Sequence, residues 1–158
     1  MIELNWDAIG AVGEILGAIA VLITLLYLVK QLRHAIDSSQ SSATDRLLRG
    51  FDDINRMVVS DAELRAVLLK ETELTASEEE QLYMFAVLYC NIWYSAQTGY
   101  DRGEISEEMY ATAAHDVLIE VDRKWPRFRG QVERWLENYP QIAQSAIFRQ
   151  LEKHPRKY

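Results

Sequence analysis

The chain is poor in the residues that usually announce chemistry. It has one cysteine, Cys90, among 158 residues, so no disulfide can close within it, and a lone thiol suits a reducing compartment. Basic charge is short as well: 17 Lys and Arg face 24 Asp and Glu, for a net charge of −7. That balance argues against nucleic acid as a partner. There is no G-x-S-x-G, no P-loop and no G-x-G-x-x-G, and neither E-x-x-H nor H-E-x-x-H occurs. The nucleophile elbow, the nucleotide cradles and the helical metal signatures are therefore missing. No alternating apolar and polar run suggests a strand, and no segment repeats. The expectation is an all-α protein that is not an enzyme and carries no cofactor or metal.

What is present is one long apolar block. Ala8 to Val29 contains a single ionised side chain, Glu14. About 20 residues rising ~1.5 Å each cross the ~30 Å hydrocarbon layer, so the block is long enough to span a membrane. A buried helix of a soluble protein is the alternative, but such length with apolar residues on all sides favours a span. A cleavable signal peptide fits poorly. The leading residues read Met-Ile-Glu-Leu-Asn-Trp-Asp without a basic side chain, and strongly apolar sequence follows the "AIA" at Ala18 to Ala20.

Flanking charge sets direction. Glu3 and Asp7 precede the block, whereas Lys30, Arg33 and His34 follow it. Basic flanks stay in the cytoplasm, so the N-terminus is expected outside. Trp6 and Tyr27 stand near the two ends, where amphipathic rings prefer headgroups. The expected organisation is a transmembrane helix over 1–34 and a cytoplasmic helical bundle over 35–158.

Past the block the periodicity stays helical. Leu32, Ile36, Ala43, Leu47, Phe51, Ile54 and Val58 recur at three, four or seven residues, so the spanning helix is expected to continue; "SSQSS" at Ser38 to Ser42 leaves a short linker as the alternative. Ser60 with Glu63, and Thr75 with Glu78, read as capping boxes opening two further helices. The second runs to about Tyr100 with Leu82, Phe85, Tyr89, Ile92 and Ala96 on one stripe. Ser106 caps another, which groups Tyr110, Ala113, Val117, Leu118 and Val121. Pro126 and Pro140 each suit the first turn of a helix.

"WDAIGAVGEILGAIAV", Trp6 to Val21, resembles a widespread uncharacterised family of small bacterial single-span proteins whose N-termini read W-x-A-I-G-A-x-G-E-I-x-G-A-x-A-V. The resemblance is specific over those sixteen residues and loose beyond "TLLYLVKQLR". It implies a bacterial inner-membrane location with a helical cytoplasmic part. It implies no activity.

At 100° per residue the block divides in two. Val12, Ile15, Leu16, Ile19, Leu22, Ile23 and Leu26 fill about a third of the circumference, all large and apolar. The opposite arc holds Gly13, Gly17, Gly10, Glu14, Ala18 and Ala11. Gly10, Gly13, Gly17, Ala20 and Thr24 follow steps of three and four, a seam of small side chains along which helices can approach closely. Small flanks on both sides of Glu14 suit a ring, where each helix touches two neighbours and the residue between them faces the axis. Intramembrane acids face a bundle interior or snorkel to the headgroups. Val21, Leu25 and Leu28 lie on the inner arc below Glu14, as a hydrophobic gate or as a closed path.

Other constellations are weaker. His115, Asp116 and Glu120 do not share one helix face, and the simplest reading is a solvated face with Glu120 paired to Lys124. Cys90 lies in the most apolar helix, where thiols are inert. Arg123, Lys124, Arg127 and Arg129, around Trp125 and Phe128, form a basic cluster that can meet anionic headgroups, as can Lys30 and Arg33; a solvated turn is the plainer reading. Two functional classes remain. One is a homo-oligomer that packs glycine faces around Glu14 and passes a cation or proton. The other is a membrane-anchored adaptor that recruits a cytoplasmic protein and transports nothing. The expected partners are further copies of the chain and membrane lipids.

Overall fold

A computed structural model describes residues 6–121, 125 and 127–153. The described residues form helices and no strand: α1 Trp6–Ser60, α2 Ala62–Leu69, α3 Ala76–Asp101, α4 Glu107–Ile119, α5 Phe128–Asn138, α6 Pro140–Ala143 and α7 Ala146–Lys153. The all-α expectation holds. The chain divides between Ser39 and Gln40 into two units.

The first unit is the leading part of α1. Every side chain from Gly10 to Ser39 is exposed. The linker alternative fails, because Ser38 to Ser42 are helical. Serine lowers helix propensity only modestly, and no Gly or Pro interrupts the stretch.

The second unit starts with the rest of α1, whose Ala43, Leu47 and Ile54 are buried. Its centre is α3, which packs against α2, α4, α5 and α7. Thr75 and Glu78 make the expected capping box, the Thr75 hydroxyl accepting from the Glu78 N–H and the Glu78 carboxylate from the Thr75 N–H. Along α3, Leu82, Phe85, Ala86, Tyr89, Cys90, Trp93 and Ala96 are all buried. Phe128 of α5 enters this row edge-on, with ring centroids 5.8 Å from Phe85, 5.5 Å from Tyr89 and 6.3 Å from Trp93. Burial of each such ring contributes about 1.5–3 kcal/mol. This aromatic row is the core.

Turns between the helices follow the local chemistry. At the end of α3, Gly103 adopts φ 70°, and its N–H and that of Glu104 bond back to Tyr100 and Gly99 carbonyls at 2.9 and 2.8 Å. This is a Schellman ending, for which glycine is the favoured residue. The Gln40 side chain donates to the Gly103 carbonyl at 2.9 Å, tying the first turn of this unit to α3. Ser106 caps α4 as expected, and Pro140 occupies the first turn of α6. Pro126 lies outside the described residues.

One cap is corrected. Ser60 ends α1 and donates to the Met57 carbonyl, whereas Asp61 caps α2 by accepting from the Leu64 N–H at 2.9 Å. A carboxylate one residue later outcompetes the hydroxyl, because it accepts a charge-assisted bond and complements the helix dipole. Arg65 then turns back on α1, donating to the Val58 carbonyl at 2.8 Å and also to Val59. Carbonyls that the helix end leaves without partners are thereby satisfied.

Candidate functional site

The residues that set α1 apart lie in its first unit. Ile15, Ile19, Leu22 and Leu26, on the broad apolar arc, are all exposed, and so are Val21, Leu25 and Leu28 on the opposite side. By length and composition this one described helix can cross a membrane. Glu14 is exposed within it. Among the described residues it has no hydrogen bond or ion pair. Thr24 satisfies itself locally, donating to the Ala20 carbonyl at 2.8 Å, and Gln31 donates to the Tyr27 hydroxyl at 2.7 Å.

The three glycines are the informative part of this geometry. A Cβ built at Gly10, Gly13 or Gly17 meets nothing within 4 Å. None has positive φ. Neither packing within the chain nor backbone conformation therefore calls for glycine here, although glycine weakens a helix by roughly 1 kcal/mol against alanine. Gly50 and Gly99 differ: an added Cβ would come within 3.0 Å of Ile92 and 2.6 Å of Ile105. Their small size answers neighbours inside the fold. That of Gly10, Gly13 and Gly17 does not.

The other sequence candidates have structural surroundings. Glu120 is buried, and its carboxylate accepts from the Trp125 indole at 2.8 Å. Asp116 is half-buried and accepts from the Trp93 indole at 2.9 Å. The solvated face expected for them is thus corrected. Each carboxylate ties a large ring into the core, since a buried indole N–H needs an acceptor. No spacing in the sequence announces the Trp93–Asp116 pair, which joins two helices. His115 is exposed. No group of three or more His, Cys, Asp or Glu that could hold a metal ion occurs among the described residues.

Tyr89 lies beside these carboxylates. Burial, and then the charges of Glu120 and Asp116, push its hydroxyl pKa up. Cys90 is fully buried and burial pushes its thiol up too, which disfavours the nucleophilic thiolate. Gln97, another buried polar group, accepts from the Tyr110 hydroxyl and the Ile147 N–H, both at 2.9 Å, and donates to Asp101 at 2.8 Å. It pins the start of α7 to α3 and α4.

In the basic cluster, Trp125 and Phe128 are core residues. Arg127 donates to the Glu71 carbonyl at 3.3 Å. Arg129 pairs with Glu133 at 2.9 Å and donates to the Leu151 carbonyl at 3.1 Å. Arg123 and Lys124 lie outside the described residues. Lys30 and Arg33 are exposed. Compared with family models, curated proteins and solved structures, the chain matches none.

Proposed function

We propose that the protein is a homo-oligomeric single-span membrane protein of the bacterial inner membrane. Its N-terminus lies outside and its helical bundle inside. Copies pack through Gly10, Gly13, Gly17, Ala20 and Thr24 around a ring of Glu14 side chains, which admits a cation or proton. The observation that carries this reading is the run of three glycines with open space beside a lone acid in an exposed apolar helix. Small faces let membrane helices gain close contact that lipid cannot match. An intramembrane acid is costly unless it faces a bundle interior or water. Rotational symmetry would bring the Glu14 side chains of neighbouring copies into one ring. Such a ring attracts cations and repels anions.

The test joins assembly to conductance. Gly13→Leu with Gly17→Leu should lower the oligomer mass of the detergent-purified protein, while Ile15→Leu with Ile19→Leu leaves it intact. In planar bilayers the wild type should pass cations and Glu14→Gln should pass fewer, with the assembly unchanged. A monomeric wild type removes the ring. Conductance identical in Glu14→Gln removes the glutamate as its selective element.

A second reading rests on Val21, Leu25 and Leu28, whose apolar side chains continue the Glu14 side of the helix. On that reading the path is closed, and the span anchors an adaptor that recruits a cytoplasmic protein. An assembled wild type that stays silent across voltage and pH favours it.

A further inference from the structure

The second unit presents one more surface that its own fold leaves unused. From Gln40 to Ser60, α1 buries Ala43, Leu47 and Ile54 against the bundle. On its outer side Asp45, Arg46, Arg49, Asp52, Asp53 and Arg56 are all exposed. Asp45 and Arg49, Arg49 and Asp53, and Asp52 and Arg56 stand four apart, a spacing that permits ion pairs along one helix. Among the described residues, however, none of the six is in an ion pair. Arg49 donates instead to the Asp45 backbone carbonyl.

The signs are sorted around the helix. With the direction of Ala43, Leu47 and Ile54 set to zero and 100° per residue, Asp45 and Asp52 fall at about 160–180°. Arg49 and Arg46 fall at about 220–280°. One edge of the outer face is acidic and the adjacent edge is basic. Asp53 departs from this order, falling at about 260° among the arginines, four residues after Arg49 and three before Arg56. We infer that the outer face of α1 from Asp45 to Arg56 is an interface with a second copy of the chain, the acidic edge of one α1 meeting the basic edge of the next.

This inference rests on the oligomer proposed above, and symmetry supplies the register. Copies related by rotation about the membrane normal present equal residues at equal height, through heterologous contacts between two different edges. In parallel helices Asp45 then stands one residue, ~1.5 Å along the axis, from Arg46 of the next copy. Asp52 stands three residues, ~4.5 Å, from Arg49. Both offsets lie within reach of an arginine side chain. A face of one sign would repel its copies in this register, and this face does not. Its partner is therefore the chain itself.

Charge reversal in the full-length protein in detergent micelles tests it. Arg46→Asp with Arg49→Asp makes both edges acidic; Asp45→Arg with Asp52→Arg makes both basic. Each pair of changes replaces two modest attractions by repulsions and should weaken self-association about tenfold. All four together restore complementarity and should restore the oligomer. Wild-type self-association should also weaken as salt rises to about 1 M, a measurement that needs no variant to fold. If both reversed pairs assemble like wild type while Gly13→Leu with Gly17→Leu dissociates it, the charged interface is wrong and the ring survives. If the fourfold exchange does not recover the oligomer, complementarity is likewise refuted. A wild type that is monomeric at every salt concentration refutes both.

Discussion

Phe128 offers a single change that tests how the bundle is packed. The ring is fully buried and meets Phe85, Tyr89 and Trp93 edge-on at 5.8, 5.5 and 6.3 Å. Through it α5 is keyed to α3. Phe128→Ala removes the ring and leaves a cavity walled by three other rings, which cannot all move inward together. Phenylalanine-to-alanine changes at such sites cost about 3–5 kcal/mol, and the crowded aromatic walls put this one near 4 kcal/mol. Phe128→Leu keeps most of the apolar area but loses the edge-to-face geometry, each instance of which contributes about 0.5–1.5 kcal/mol. It should cost about 1–2 kcal/mol, since partial refilling offsets part of that loss. Denaturant unfolding of the full-length protein in micelles, followed by near-ultraviolet circular dichroism, reads the bundle through its tryptophans. The midpoint should fall in the order wild type, Leu, Ala, with the slope unchanged. An alanine variant within 1 kcal/mol of wild type would mean that α5 does not seat Phe128 in the α3 row.

Two further changes test the joints of the same unit. The Lys70 ammonium, bonded to Glu78 at 2.7 Å, and then the Thr75 backbone N–H hold the Glu78 carboxyl down at about 2, against an ordinary 4.5. A carboxyl with a depressed folded pKa contributes stability above its unfolded value and loses it as pH falls towards the folded one, here between about 4.5 and 2. The Glu78 carboxyl carbon should therefore titrate near 2 by NMR and move towards 4.5 in Lys70→Met; a wild-type midpoint near 4.5 would contradict the pairing. Gly99→Ala places a Cβ 2.6 Å from the Ile105 Cδ1 and should destabilise by about 1–3 kcal/mol. Ile105→Val in the same chain removes that Cδ1 and should recover part of the loss; an alanine tolerated without cost would show that the turn after α3 yields freely.

The helical periodicity of Leu82 to Ala96, the Thr75 box and the Ser106 cap were legible because each depends on residues within a few positions of one another. The Ser60 cap fails for the same local reason. Ser60 and Asp61 are adjacent acceptors, and only the folded backbone decides which one meets an amide N–H. Glu120 and Asp116 were misread at a different level. On a helical wheel both are charges near other charges, and nothing nearby says that indoles from Trp125 and Trp93 will cover them. Arg65 and Gln97 hide in the same way, since folding brings them the Val58 carbonyl and the Ile147 N–H respectively. Contacts that cross between helices escape local pattern. In the first unit the pattern of residues was plain, but pattern alone does not say what covers it.

What covers it is constrained by energy. Ile15, Ile19, Leu22 and Leu26 are each about half exposed or more. Leaving such a side chain in water forfeits about 1.5–3 kcal/mol each, and α1 carries many more of them. In a membrane, lipid would answer that demand on every side of the helix, but it would not answer Glu14, for which hydrocarbon has no hydrogen bond to offer. Nor does lipid give any reason for glycine over alanine at positions 10, 13 and 17, because tails pack as readily on a methyl group. A neighbouring helix answers both: it needs a low ridge to approach, and it brings a second polar side chain to the level of the first. Four residues, Gly10, Gly13, Glu14 and Gly17, therefore ask for the same thing from one arc of the helix. The oligomer proposed above would supply it with another copy of that arc.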